Sequence, residues 1–200
     1  ICSYAAIGLF MSCLTSYQVV AAVATLGALA FLNYVGRIGQ EVPFIRDVTY
    51  WLSISGRSDE LINGLISSED VFYFLIVIGL FLTLSIMVIL SGKRKLSKSM
   101  AFTRYTGVII LAMLLGYVTS RPGLQCSYDA SSIKLNSLNP VSQEIMEKME
   151  GGLTITTYVN LLEGNFYRGA PSERNSDANR FKKFIRFKPK IQMNYVYYYA

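Results

Sequence analysis

Cysteine and histidine, the residues that most often carry metal or nucleophilic chemistry, are scarce in this sequence. It has no histidine and three cysteines, Cys2, Cys13 and Cys126. Cys2 and Cys13 lie within or at the end of an apolar run, where cysteine usually packs as a small apolar residue. Cys126 stands alone in the polar part, which excludes a disulfide framework there, and no base accompanies it to make it a nucleophile. We therefore predict no catalytic residue and no metal site.

Nucleotide chemistry has no motif in this sequence. A phosphate-binding loop needs the pattern Gly-x-x-x-x-Gly-Lys-Ser/Thr, because its backbone amides cradle the phosphates. Gly92-Lys93 is followed by Arg94 and has no glycine five residues before Gly92. No pair of carboxylates lies in a recognisable acid–base context either. We expect no bound cofactor, and we expect the protein not to be an enzyme.

Basic and aromatic residues alternate between positions 180 and 190. The basic ones are Arg180, Lys182, Lys183, Arg186, Lys188 and Lys190. Nucleic-acid sites use such residues, but the topology derived below places the segment outside the cytoplasm, so we expect no nucleic-acid partner. A helix with a solvated basic face gives the same pattern. The functional alternative is binding of an acidic glycan or a lipid headgroup by a face of Arg180, Lys183 and Arg186.

Apolar helices dominate the elements that must position these residues. Hydrophobic residues make up 52% of the chain and charged residues 16%, against about 25% charged in soluble domains. Residues 1–36 carry no charge, and a membrane-spanning helix needs about 20 mainly apolar residues. We predict four apolar spans: the tail of one at 1–14, then 19–34, 71–90 and about 105–119. This excludes a disordered chain, a collagen and a single soluble globule.

The basic residues orient these spans. Lys93, Arg94, Lys95, Lys98 and Arg104 crowd the link between the third and fourth spans, with no acid among them. Short links rich in Lys and Arg stay in the cytoplasm. The loop at 37–70 has three Arg and six acids, which favours the outside. Alternation then places residues 14–18 inside and the chain after Arg121 outside.

The outer loop at 37–70 is apolar and aromatic in places, at residues 42–45 and 48–52. Leu61, Ile62, Leu65 and Ile66 follow at helical spacing. Trp and Tyr favour the membrane–water interface, so we predict one or two short interfacial or re-entrant helices. Anchoring is the ordinary role of such helices. The functional alternative is an outer gate formed by Tyr50, Trp51 and Leu65.

The C-terminal segment has the pattern of an α/β domain. Asn139-Pro140 is an N-cap followed by proline at the first helical position, so we predict a helix at 140–150 that ends at Gly151-Gly152. A strand is predicted at 153–160, a loop at 163–176, a basic helix at 178–187 and a second strand at 191–200. Strand, helix and strand imply a parallel pair with a right-handed crossover. The chain begins inside an apolar run and ends in a strand, so we expect a fragment of a longer polypeptide.

Residues 7–22 resemble the turn between the fourth and fifth helices of type-2 ABC exporter permeases. Those permeases commonly read Gly-Leu-Phe, a hydrophobic residue, Ser-Ser-Leu-Thr, then Gln and Ala at fixed spacing, and this chain has Gly8-Leu9-Phe10-Met11-Ser12-Cys13-Leu14-Thr15 followed by Gln18 and Ala21. Cys13 stands where serine is usual. Residues 51–73 resemble the outer loop that enters the sixth helix. The resemblance covers about residues 1–91.

The remainder, about residues 92–200, resembles the auxiliary membrane subunit of gliding-motility-associated ABC transporters. That subunit has an anchor helix followed by a helix and a strand like those at 137–150 and 153–160. The family often starts this helix with Leu-Ser, where this chain has Leu138-Asn139-Pro140. The two resemblances imply a permease domain at 1–91, a basic cytoplasmic link at 92–106, an anchor helix at 107–120 and an extracytoplasmic α/β domain from 121.

The resemblance implies the permease component of an ATP-binding-cassette exporter with a fused accessory domain. It also implies the inner membrane of a Bacteroidetes-like bacterium, a C-terminal domain in the periplasm, contact with membrane lipid and assembly as a homo- or hetero-oligomer. ATP would be hydrolysed by a separate ATPase subunit, which we expect to contact a turn of Leu14, Thr15, Ser16 and Gln18. The alternative is a membrane-anchored scaffold or signalling subunit that binds an envelope partner through its α/β domain.

Overall fold

The computed structural model describes residues 1–93, 98–121, 126–132, 134, 136–149, 151–162, 169–187 and 191–199. Within these residues the fold is mostly α-helical and has a few strands. The chain divides into two compact units, which we call the first unit (Ile1–Leu32 and Ile66–Tyr128) and the second unit (Asn33–Leu65 and Asp129–Ala200).

The elements follow one another as a helical half and a mixed half. The helices are α1 (Cys2–Leu14), α2 (Gln18–Tyr34), α3 (Pro43–Leu52), α4 (Ile54–Ile62), α5 (Ser68–Lys93), α6 (Lys98–Thr119), α7 (Pro140–Lys148) and α8 (Arg174–Phe187). The strands are β1 (Leu65–Ser67), β2 (Ser127–Asp129), β3 (Leu153–Asn160) and β4 (Ile191–Tyr198). Single 3-10 turns cover Val35–Arg37 and Pro171–Glu173.

Three helical segments among the described residues are long and apolar enough to cross a membrane: Gln18–Arg37, Ser68–Ser91 and Ser99–Thr119. Apolar side chains cover their outer surfaces; Ile86 and Leu111, for example, are each 57% exposed. Because such surfaces are unfavourable in water, the structure indicates a membrane protein.

The prediction of four spans is not confirmed. α1 is apolar but has 13 residues, which is about 20 Å of helix against a hydrocarbon core of about 30 Å. The last predicted span also differs, because α6 begins at Lys98 and not near residue 105. Hydropathy identifies only the apolar part of a helix, whereas α6 also includes polar residues in its first turns. One of them, Thr103, donates a hydrogen bond from its hydroxyl to the Ser99 carbonyl at 3.0 Å.

The first unit packs α1 against α5, and α5 against α6. Ile7 is fully buried, and the rings of Phe10 and Phe81 lie 5.6 Å apart between their centroids. Two hydroxyl groups of the first unit, one on α2 and one on α5, are satisfied within their own helices. Those of Thr25 and Ser85 each donate to the carbonyl four residues earlier, at 2.7 Å.

The loop at 37–70 forms two short helices, α3 and α4, as predicted. Pro43 starts α3, where a fixed φ and a missing N–H cost nothing. The helical spacing read for Leu65 and Ile66 is wrong: α4 ends at Ile62, Gly64 has φ +82°, and both residues lie in β1. A residue in that left-handed conformation ends a helix, and β1 instead pairs with β2.

The C-terminal segment forms the predicted elements with shifted ends. The Asn139 side chain accepts a hydrogen bond from the Ser142 N–H at 2.7 Å and caps α7. Gly151 has φ +87° beyond the end of α7. The predicted loop to residue 176 is too long, since α8 already begins at Arg174. Strands β3 and β4 pair in parallel, as predicted, with Leu153 opposite Ile191 and Asn160 opposite Tyr198.

The apolar core of the second unit lies between α7, α8 and the β3–β4 sheet. Leu138, Met146 and Ile191 are buried together, and Phe184 and Ile185 of α8 pack against them. Burying Phe184 and Ile185 here orients polar and charged side chains of the same helix toward α3 and α4, as described below.

Some predicted features lie outside the described residues. They are Arg94 and Lys95 of the basic link, Pro122 and Gly123 after the last span, Glu150, residues 163–168 of the loop, Lys188 to Lys190, and Ala200.

Candidate functional site

The turn predicted to contact an ATPase joins α1 to α2. Leu14 ends α1, Gln18 begins α2, and the Tyr17 N–H donates to the Thr15 hydroxyl at 3.2 Å. Leu14, Ser16 and Gln18 are exposed and Thr15 is half-buried. The turn is therefore a compact polar loop with its side chains open to a partner.

The three residues of the predicted outer gate do not share one environment. Tyr50 and Trp51 are half-buried in the last turn of α3. Leu65 is 3% exposed in β1. A buried strand residue cannot open a path by rotating its side chain, so only Tyr50 and Trp51 retain the surface that a gate would need.

The predicted basic face follows α8 at intervals of three residues. Arg180 lies 3.8 Å from the Asp177 carboxylate, and the Lys183 ammonium lies 5.6 Å from the Phe184 ring centroid. Arg186 is half-buried, and its Nε has no hydrogen-bond partner among the described residues. The three cations thus have different surroundings. The Arg180 side chain is 51% exposed, whereas Lys183 and Arg186 are half-buried.

Sequence reasoning missed the cation that joins α8 to α3 and α4. Lys182 forms an ion pair with Glu60 of α4, in which the two side chains are 30% and 15% exposed. The same ammonium donates to the Tyr50 hydroxyl at 3.4 Å and lies 5.8 Å from the centre of its ring. We call this set of Tyr50, Glu60 and Lys182 the lysine junction.

A second set of contacts joins the start of α8 to the residues after α2. The Asn175 side-chain amide donates to the Gly36 carbonyl at 3.0 Å, and the Asn175 N–H donates to the Gln40 side-chain oxygen at 2.9 Å. Arg174 donates to the Glu41 carbonyl at 2.9 Å. Two stretches of sequence more than a hundred residues apart are therefore held together by the start of α8, and Lys182 in the middle of the same helix adds the lysine junction.

Arg174 also belongs to an aromatic network between α8 and β4. Its Nε donates to the Tyr197 hydroxyl at 2.9 Å, and its guanidinium lies 5.2 Å from the centre of the Tyr195 ring. The Tyr195 hydroxyl donates to Asp177 at 3.1 Å. Burial, with the Asp177 charge adding to it, raises the pKa of Tyr195 to about 12, so this tyrosine stays a neutral donor.

A polar cleft of about 280 Å³ opens beside these contacts. Its lining comes from the end of α2 and the residues after it, from α3 and α4, and from the start of α8. Glycines allow close packing beneath it: a Cβ at Gly36 would lie 2.8 Å from the Ser53 Cβ, and one at Gly56 would lie 3.1 Å from the Tyr50 ring. All of the described lining residues belong to the second unit.

Asp129 holds the loop that leads to α7. Its carboxylate accepts from the Ser131 hydroxyl at 2.5 Å, the Ser137 hydroxyl at 2.9 Å and the Asn136 N–H at 2.9 Å. These donors, Ser131 above all, hold the pKa of Asp129 well below its usual range. The arrangement is a loop clamp, with every donor supplied by its own loop.

Metal binding has no structural support in the described part of the chain, where no three His, Cys, Asp or Glu side chains gather. In the sequence, Lys182 is one of six basic residues between positions 180 and 190, and no local feature distinguishes it from Lys183.

No protein-family model matches this chain, and no curated protein or solved structure is similar to it.

Proposed function

We propose that this chain is the membrane permease component of an ATP-binding-cassette exporter of the gliding-motility type, with an accessory domain fused to it on the extracytoplasmic side. It would reside in the inner membrane of a bacterium and work with a separate ATPase subunit. In this proposal the membrane-spanning helices carry the cargo path.

One observation supports this arrangement more than any other: residues Asn33–Leu65 and Asp129–Ala200 fold as one compact unit. The segments between them include two helices long enough to span, α5 and α6. If both cross the bilayer, the chain returns to the side from which it left, and the two segments can meet. If only one crossed, the membrane would separate residues that the structure joins, such as Lys182 and Glu60.

Charge supports the choice of side. The described basic residue Arg104 lies exposed on α6, within the link whose Lys and Arg content favours the cytoplasm. The turn at residues 14–18 then faces the cytoplasm too, where an ATPase would bind. Charged residues that would couple transport to an ion gradient are rare in the spans, which favours ATP as the energy source.

The test is purification of the full-length protein from its native membrane, with identification of the proteins that accompany it. We expect an ATP-binding-cassette ATPase whose hydrolysis rate changes when the permease is present. Thr15→Ala with Gln18→Ala should lower its recovery by about tenfold or more, as loss of a contact centre does. Thr15→Ser, which keeps the hydroxyl that caps the Tyr17 N–H, should retain it.

Matched controls remove a hydroxyl and a side-chain amide at exposed positions of the second unit, by Ser132→Ala and Gln192→Ala. They should leave ATPase recovery unchanged. Full ATPase recovery and unchanged transport in the Thr15 and Gln18 double variant would show that the turn is not part of the ATPase contact. Absence of any ATPase from the purified complex would contradict the permease proposal itself.

The scaffold alternative is favoured by one feature, the face of the β3–β4 sheet that is opposite the apolar core. Parallel sheets are normally covered on both faces, but Tyr158, Val196 and Tyr198 are 69%, 41% and 42% exposed. Tyr158 and Val196 are register partners, so their exposed side chains form one patch. Recovery of an envelope protein lost on Tyr158→Ser, without an ATPase, would support the scaffold instead.

A further inference from the structure

We infer that the polar cleft of the second unit is a binding site for a sugar residue. This goes beyond the proposed function, and it holds whether or not the chain is a permease. The cleft lies wholly within the second unit, and its volume of about 280 Å³ is close to the lower end of small-molecule sites, about 300 Å³. That is room for one or two sugar rings.

The floor of the cleft is fixed by internal hydrogen bonds. Gln40 and Ser53 are 4% and 3% exposed, and Gln40 accepts from the Asn175 N–H at 2.9 Å. The Ser53 and Ser55 hydroxyls are 3.1 Å apart, and Ser55 donates to the Asn33 carbonyl at 3.0 Å. A floor whose polar groups are already paired does not need to rearrange when a ligand enters.

The rim differs from the floor, because its polar groups are uncommitted. The side chains of Asp59, Glu173, Ser176 and Asn179 line the cleft, and none of them has a hydrogen bond or ion pair with another residue that the structure describes. They present two carboxylates, a hydroxyl and an amide. Together these groups both donate and accept within a small space.

This mixture fits a polyhydroxylated ring better than the alternatives. Sugar hydroxyls donate and accept at once, so neighbouring hydroxyls pair well with amides and carboxylates. Phosphate would meet two carboxylates with Arg37 as the one cation in the described lining, and their net charge repels an anion. A peptide would need apolar pockets for its side chains, but no aliphatic side chain is among the described lining residues.

Binding can be measured on the full chain in lipid nanodiscs, since maltoside detergents would present a competing sugar. Trp51 is the only tryptophan of the chain and follows Tyr50 of the cleft lining in sequence, so its fluorescence is followed during the titration. The probes are glucose, N-acetylglucosamine, inorganic phosphate and triglycine. We expect saturable binding of at least one sugar with a Kd of about 1–10 mM, as suits a single small subsite, checked by calorimetry.

Two rim variants test the position. Asp59→Ala and Asn179→Ala should each weaken sugar binding by about tenfold, which is the loss of a hydrogen bond to a charged or well-placed partner. Their controls are Asp47→Ala and Asn194→Ala, exposed residues of the same types outside the lining. The controls should stay within about twofold of the unaltered protein.

Several results would overturn the inference. One is no sugar binding up to about 100 mM, far above the affinity expected of the site. Another is sugar binding that the rim variants and the controls weaken equally. Binding of phosphate or triglycine in preference to both sugars, lost in the rim variants, would assign the cleft to a different ligand.

Discussion

The lysine junction allows the packing of the second unit to be tested by one substitution, Lys182→Met. Methionine keeps the length and most of the apolar stem, but it removes the charge that pairs with Glu60. The contact joins residues 122 positions apart, so its loss acts on tertiary structure and not on helix propensity.

The expected magnitude follows from exposure. Removing one partner of a fully buried ion pair costs about 3–5 kcal/mol, whereas exposed pairs are worth about 0–1 kcal/mol. Lys182 and Glu60 are 30% and 15% exposed, between these limits, and the Tyr50 hydroxyl loses a donor as well. We expect the second unit to lose about 2 kcal/mol, which lowers its melting temperature by about 10 °C at about 4–8 °C per kcal/mol.

The assay is thermal unfolding of the full chain in nanodiscs, followed by the fluorescence of Trp51, which lies in the second unit. A double-mutant cycle with Glu60→Gln should give a coupling free energy of about 1–2 kcal/mol. The control is Lys148→Met, which breaks the exposed pair with Glu144 and should cost about 0.5 kcal/mol or less. Equal effects of Lys182→Met and Lys148→Met, or an additive cycle, would refute the reasoning.

Three further predictions use the same unfolding assay. Asp129→Asn should destabilise the protein at neutral pH. Because folding lowers the pKa of Asp129, the difference in stability between the variant and the unaltered protein is largest above a pH of about 4 and becomes smaller as the pH falls toward the lowered pKa. A difference in stability that grows with acidity would contradict this. Gly36→Ala should lower the free energy of unfolding by about 1–3 kcal/mol, because the new Cβ would lie 2.8 Å from that of Ser53. Gly27→Ala should cost nothing, because no neighbouring atom of the described residues lies within 4 Å of its new Cβ. Equal melting temperatures of the two variants would argue against the close approach at Gly36. Asn139→Ala should cost about 1 kcal/mol by removing the cap of α7, and an unchanged melting temperature would show that the cap contributes nothing.

The local signals in the sequence identified most elements of the fold. Asn139-Pro140 identified the start of α7, which ends at Lys148, two residues before the predicted end, and alternation identified β3 at its observed bounds. These features act within a few residues of chain, so a pattern can reveal them. The start of α8 could not be found this way, because Arg174 and Asn175 are ordered by Tyr197, Gln40 and Gly36, which are distant in sequence.

The candidate site was less accessible to sequence reasoning for the same reason. Tyr50 was recognised as a residue of interest from its aromatic neighbourhood, but its partner Lys182 was indistinguishable from the other basic residues of its helix. Leu65 was predicted to lie in a helix because the spacing of four apolar residues at 61–66 suits a helix. The left-handed turn at Gly64 was not visible in that spacing. The cleft is built from three separated segments, and no single segment of them contains a motif.

Membrane sidedness is the claim on which the proposed function depends, and cysteine labelling measures it most directly. The variants are Ile62→Cys, Glu147→Cys and Ser16→Cys, all at exposed positions, in a chain whose Cys2, Cys13 and Cys126 have been replaced by serine. A membrane-impermeant maleimide is applied to intact cells whose outer membrane has been made permeable, and then to lysed cells. The account predicts that Ile62→Cys and Glu147→Cys react in intact cells and that Ser16→Cys reacts only after lysis. Labelling of Ser16→Cys in intact cells, or of only one of the other two, would contradict it.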